Sequence, residues 1–201
     1  MHSTESQPSE LETEIAPEAS LLSEIYGFLA LTMRYPNASF LDGQFLDAYE
    51  ALLQSLDWKE AYADIHEWRA QTSDILNDLQ IEYTRLFINA NPGTTIPPYA
   101  SVYMDGDRSI QGKTTEKTKD FYRSCGYEVT SSTEPPDHIQ HELEFLAALA
   151  GENRLEEETL FLRSLFRPWF IRFSKNSIHE ARHPFYRVSI QLIDFFTKEE
   201  Q

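Results

Sequence analysis

Apolar residues recur along this chain at spacings of three and four, the period of a helix with one buried face. Leu21, Ile25, Phe28, Leu29 and Thr32 form one such stripe, and Phe45, Tyr49, Leu52, Leu53 and Leu56 form the next. Ser20 can cap the first helix, and Tyr35-Pro36-Asn37 ends it, because proline donates no amide and restricts the residue before it. A weaker helix carries Ala61, Ile65 and Trp68. The clearest period in the first half runs through Ile75, Leu76, Leu79, Tyr83, Leu86 and Phe87.

From Ile88 to about Lys113 the period vanishes, and Asn91-Pro92-Gly93, Pro97-Pro98 and Asp105-Gly106-Asp107 predict a long loop. Connections of this length within a domain are commonly functional or act as hinges. Ile96, Tyr99, Val102, Tyr103 and Met104 give this one apolar anchors that would be costly to leave in water. Helical periodicity resumes through Phe121, Tyr122 and Cys125, stopped by Gly126, before a polar turn at Ser131, Ser132 and Thr133. Pro135-Pro136-Asp137 then places an acidic cap ahead of Ile139, Leu143, Leu146 and Ala150, with Gln140 at the capping-box position.

A further helix from about Glu156 passes Leu160, Leu165 and Trp169, with Pro168 forcing a kink or restart. The last comes after His183-Pro184 and carries Phe185, Ser189, Leu192 and Phe196. No stretch alternates as a strand, and no repeat has a fixed period. The expectation is an all-α single globular bundle of roughly seven to nine helices. Its two lobes, about 19–88 and 114–201, are joined by a Pro/Gly-containing hinge loop at about 89–113.

Composition narrows the classes. A chain of 201 residues can bury a core without disulfides or metals, and Cys125 has no second cysteine to pair with. Residues 1–18 carry Glu5, Glu10, Glu12, Glu14 and Glu18 with no Lys or Arg, unlike a secretory leader, and are expected to form a disordered acidic tail. The longest apolar stretch, Ile25 to Met33, is too short to span a bilayer, so a cytoplasmic location and no integral membrane segment are expected. A net charge of −16 disfavours nucleic acid and would attract a partner with exposed arginines.

Catalytic signals are sparse. His138 and His141 are three apart rather than four, and Glu180-to-His183 is a single Glu-x-x-His pair, so neither a zinc nor a di-iron site is predicted and no cofactor is expected. No nucleophile elbow, Walker loop or dinucleotide turn occurs. Against the overall charge, Arg163, Arg167, Arg172, Lys175, Arg182 and Arg187 cluster in the C-terminal third. They either pair with acids inside the fold or bind a phosphate-bearing ligand such as GTP, through Arg163, Arg167 and Arg172.

Three segments carry a resemblance: Glu82-Tyr83-Thr84-Arg85-Leu86-Phe87, then Pro97-Pro98-Tyr99-Ala100-Ser101-Val102-Tyr103, then Glu134-Pro135-Pro136-Asp137-His138-Ile139 running into Glu142-Leu143-Glu144-Phe145-Leu146. In this order, on a helical chain of this length, they resemble the TorD/DmsD group of redox-enzyme maturation chaperones, from about Leu21 to Phe196. Ile88-Asn89-Ala90-Asn91 and Ala100 depart from the group's pattern.

The resemblance implies a helical fold without catalysis, acting as a monomer or domain-swapped dimer. It also implies a partner: the precursor of a molybdenum-dependent oxidoreductase, held by its twin-arginine signal peptide and perhaps its body until cofactor insertion. The alternatives are a nucleotide (GTP)-binding or weakly hydrolysing protein that uses the C-terminal basic cluster, and a generic helical adaptor. Paired guanidinium groups ahead of an apolar stretch require carboxylates beside an apolar groove. Glu134, Asp137, Glu142 and Glu144, with His138, fit the first, and Leu86, Phe87, Pro98, Tyr99, Ser101 and Tyr103 fit the second. Leu86 and Phe87 equally continue a core stripe, and Asp137 equally caps a helix.

Overall fold

The computed structural model describes residues 10–38, 43–89, 95–106, 109–129 and 133–198. Its helices are α1 (Glu10–Thr32), α2 (Gly43–Ser55), α3 (Lys59–Gln71), α4 (Ile75–Tyr83), α5 (Ala100–Met104), α6 (Lys113–Ser124), α7 (Ile139–Gly151), α8 (Leu155–Phe161), α9 (Arg167–Glu180) and α10 (Pro184–Thr197). A π-helical turn, Thr84–Ile88, extends α4, and a second, Leu162–Phe166, joins α8 to α9 without a break. Among the described residues no strand forms, and the β-like pairing there is a bridge between Tyr99 and His138. The fold is all-α, as the periodicity predicts.

Helix α7 runs through the middle of the packing, with Ile139, Leu143, Leu146 and Leu149 buried. Alongside it lies α1, brought close by small residues: Gly27 faces Ala147, and Ser23 donates its hydroxyl to the Ala147 carbonyl at 2.7 Å. The core is rich in rings, among them Trp169, Phe145, Phe161, Phe166, Phe170 and Phe173. Each such side chain contributes roughly 1.5–3 kcal/mol by leaving water. Buried tyrosines add polar ties between elements, because a phenol out of water must find an acceptor. Tyr26 donates to Glu158 (3.0 Å), Tyr122 to the Pro136 carbonyl (3.0 Å) and Tyr186 to the Leu79 carbonyl (2.9 Å). Residues on both sides of the loop, from Leu29 to Ile193, enter one continuous core, so the two expected lobes share it.

Some expectations are revised. Helix α1 begins at Glu10, so Ser20 lies inside it rather than at its cap; Glu, Leu and Ala in this acidic stretch are strong helix formers. Residues 1–9 of the expected tail lie outside the described residues. Leu21, counted in the core stripe, is 57% exposed; Leu29 and Thr32 of that stripe are buried, joined by Tyr26, Ala30 and Met33. Met104 does not anchor the loop and is largely exposed.

The loop is not uniform either. It holds the five-residue α5, and Asp105 just after that helix accepts from the Thr114 amide at 3.0 Å, tying it to the first turn of α6. A Cβ at Gly112 would collide with that carboxylate, which is why glycine stands there. Gly126 closes α6 with φ +76°, a conformation that favours glycine, as its stop signal predicts. Ahead of Pro168, the expected kink takes the form of the second π turn, where the Arg167 amide bonds back to the Leu162 carbonyl.

Candidate peptide-binding site

The last two of the three family-like segments are laced together by backbone. The Ala100 amide donates to the Asp137 carbonyl at 3.0 Å, and the Ile139 amide donates to the Pro98 carbonyl at 2.9 Å. Asp137 lies at the centre, fully buried, and its Oδ2 accepts from the Ser101 amide at 2.8 Å. It therefore serves the start of α5, not that of α7. The cap of α7 is His138, whose Nδ1 accepts from the Gln140 amide at 3.2 Å. Burial, with His141 beside it, holds the His138 imidazole down to about 3, so it is neutral and free to accept.

Glu142 is also fully buried, accepting from the Trp169 indole at 2.9 Å. Burial and then the neighbouring Asp137 push its carboxyl well above the usual range, while the Trp169 indole pulls the other way. Leu86 and Phe87 are core residues, Phe87 stacking on Phe173, and Pro98 and Ser101 are buried too. Seven sequence-predicted contacts are thus scaffold in this structure: Leu86, Phe87, Pro98, Ser101, Asp137, His138 and Glu142. The physical reason is common to all: each is spent on the packing or on a neighbour inside it and presents no surface to a ligand.

Glu134, Glu144 and Tyr99 are different. All three are half-buried at the rim of this centre. The Tyr99 hydroxyl donates to Glu134 at 2.6 Å, its ring lies edge-on to His138 at 5.0 Å, and Glu144 sits 2.9 Å from His141 Nδ1. Burial would raise Glu144, but His141, Gln140 and the charge of Arg34 outweigh it and hold the carboxyl below its ordinary value. Burial and Glu134 push the Tyr99 phenol up, keeping it a neutral donor. Tyr35, about half exposed, packs edge-on to Tyr83 on the neighbouring element. Tyr103 faces the other way, stacked on Trp169 at 5.7 Å.

Sequence reasoning missed Glu82 as an organiser. Its carboxylate accepts from two guanidinium nitrogens of Arg85, Nε (2.7 Å) and Nη2 (2.8 Å), and from the amides of Arg182 (2.7 Å) and His183 (3.2 Å). Its position at i+3 from Leu79 and i−4 from Leu86, on the core face, is the signal that could have found it. The C-terminal basic run divides among separate partners. Arg167 pairs with Asp194 (2.8 Å) and lies over the Phe170 ring, Arg187 pairs with Asp64 (2.8 Å), and Arg163 is exposed on the second π turn. Arg163, Arg167 and Arg172 therefore do not assemble around one phosphate. Among the described residues, no group of three His, Cys, Asp or Glu is placed to hold a metal ion, and no helix is long and apolar enough to cross a membrane.

The helical scaffold spends buried polar groups on ordering one loop, with carboxylates and aromatic rings at that loop's edge. Residues 47–175 match the model of the nitrate reductase delta subunit family, and the chain belongs to that family. The chaperone protein TorD of Vibrio vulnificus is 26% identical over 170 residues, covering 79% of this chain and 76% of that protein. The Tat proofreading chaperone DmsD of Salmonella typhimurium is 36% identical over 114 residues, 55% of this chain and 54% of its own length. A crystal structure from Archaeoglobus fulgidus, described as a putative redox enzyme maturation protein, superposes with a TM-score of 0.59 at 24% identity, over 98% of this chain and 100% of that one. The likeness to the TorD/DmsD chaperones read from the three segments is shown, and the protein is a chaperone of that group rather than an enzyme.

Proposed function

We propose that the protein is a cytoplasmic chaperone that binds the twin-arginine signal peptide of a molybdoenzyme precursor and masks it until cofactor insertion and folding are complete. The observation that carries this reading is the rim itself. Glu134 is bonded to Tyr99, and Glu144 to His141, one turn along from the His138 ring that Tyr99 packs on, at the edge of the two segments that the chain knits together by backbone. Two carboxylates beside an aromatic edge suit two guanidinium groups, which take charge-assisted hydrogen bonds and stack on rings. Tyr35 and Tyr99 offer ring surface to the apolar stretch that such a peptide carries after its arginines. Relatives named as TorD and as a Tat proofreading chaperone support the same partner class.

Calorimetric titration with a twin-arginine signal peptide tests this. Glu134→Gln with Glu144→Gln should weaken binding by roughly 1.5–3 kcal/mol, as should replacing the arginine pair by lysines. Affinity should fall as salt rises, with an apolar remainder at high salt. Equal affinity for the double variant and the unaltered protein would place the signal peptide elsewhere.

A further inference from the structure

Thr95, Ile96 and Pro97, with Val102, Tyr103 and one side of α9, enclose a cleft of about 720 Å³ that none of the rim residues lines. It continues past Gly106 into a second of about 450 Å³, the two sharing Val102, Tyr103, Lys175 and Asn176, so together they form a trough. The loop side is apolar: Ile96 and Val102 form a buried floor beside Pro97 and Tyr103. The α9 side carries two fixed cations. Arg172 and Lys175 lie three apart on one face of the helix and are both exposed, with His179 four further along the same face. Arg172 is fixed at the edge by a hydrogen bond from its guanidinium to the Tyr103 carbonyl, 3.3 Å away.

This charge runs against the rest of the molecule. The chain has 33 acidic and 17 basic residues, so a random stretch of surface holds about two acids for each base. Here Glu180 is the acid among the described lining residues; its side chain is engaged by His179 at 3.0 Å and its carbonyl by Arg85 at 2.7 Å. The cationic wall is the flank of a helix in mid-course, whose amides are bonded internally, and among the described lining residues no glycine-rich turn or helix start supplies the cradle that phosphate binding uses. An apolar floor under a charged wall, open along its length, instead suits an extended chain that presents carboxylates to one side and apolar side chains to the other.

We propose that this trough binds an extended acidic peptide segment of a partner protein, its carboxylates on Arg172 and Lys175 and its apolar side chains on Ile96, Val102 and Tyr103. The site is separate from the Glu134–Glu144 rim and does not depend on the signal-peptide reading. The two faces share one loop, Tyr99 serving the acidic side and Tyr103 the cationic one.

The test is fluorescence anisotropy of the intact protein with a short labelled peptide that alternates glutamate with leucine and phenylalanine. Arg172→Glu with Lys175→Glu should weaken binding roughly tenfold or more at an unchanged thermal midpoint. Glu134→Gln with Glu144→Gln should leave it as in the unaltered protein. If Arg172→Glu disturbs the fold, Lys175→Glu alone, a change at an exposed side chain, carries the same comparison. No binding by the unaltered protein, or equal binding by the charge-reversed one, overturns the proposal. Stoichiometric displacement of the peptide by inorganic phosphate or GTP, beyond what the same ionic strength of chloride produces, overturns it in favour of a phosphate site.

Discussion

A single carboxylate, Asp137, holds the start of a helix that lies 36 positions earlier in the chain. Its bond to the Ser101 amide is out of water, where a hydrogen bond is worth most. Asp137→Ala should lower stability in urea by about 1.5–3 kcal/mol, and Asp137→Asn by less, since the amide oxygen can still accept. The Pro-Pro-Asp run announces a cap with good reason. Composition alone does not say that the backbone register gives the α7 cap to His138 and turns Asp137 toward another helix. Leu86 is legible as core from its period. That the Tyr99 hydroxyl reaches Glu134 is not, because residues 35 apart share no local pattern.

At the scale of elements, Glu82 ties the end of α4 to the turn between α9 and α10, with Arg85 completing the pair and reaching the Glu180 carbonyl. Removing one member of a buried ion pair leaves the other uncompensated, so Glu82→Ala should cost about 3 kcal/mol or more. Hydrogen exchange should report it locally, with the Arg182 and His183 amides losing protection first. The long helices are legible because each buries one periodic face. Helix α5 is not, since five residues show no period, and neither is the first π turn, since one extra residue per turn leaves no mark in composition. Pro168 does announce the second, by withholding an amide that an α-helix would use.

For the whole molecule, buried titrating groups set opposing slopes of stability against pH. Burial lowers His138 and His183 in the fold, while the unfolded chain protonates them near 6.5. Their contribution is complete above that value and is lost as pH falls toward the folded values. Glu142 is raised, so its contribution is complete below 4.5 and is lost as pH rises. Two histidines outweigh one glutamate between 4.5 and 6.5, so stability should rise to a maximum near pH 6.5 and decline above it. Glu142→Gln should raise the thermal midpoint at pH 8 relative to pH 5. His138→Asn, which keeps a capping side chain, should flatten the acid limb by up to about 1.4 kcal/mol per pH unit.

The bridge between Tyr99 and His138 also orders events in time. Helix α5 is far too short to persist alone. Its cap and its pairing partner are synthesised only after a further three dozen residues. A nascent chain at the ribosome thus has α1 to α4 available well before Tyr99 and Tyr103 can be set in place. The loop is among the last parts of the molecule to acquire its shape, so the peptide binding proposed for its edge has to wait until Asp137 and His138 have been made.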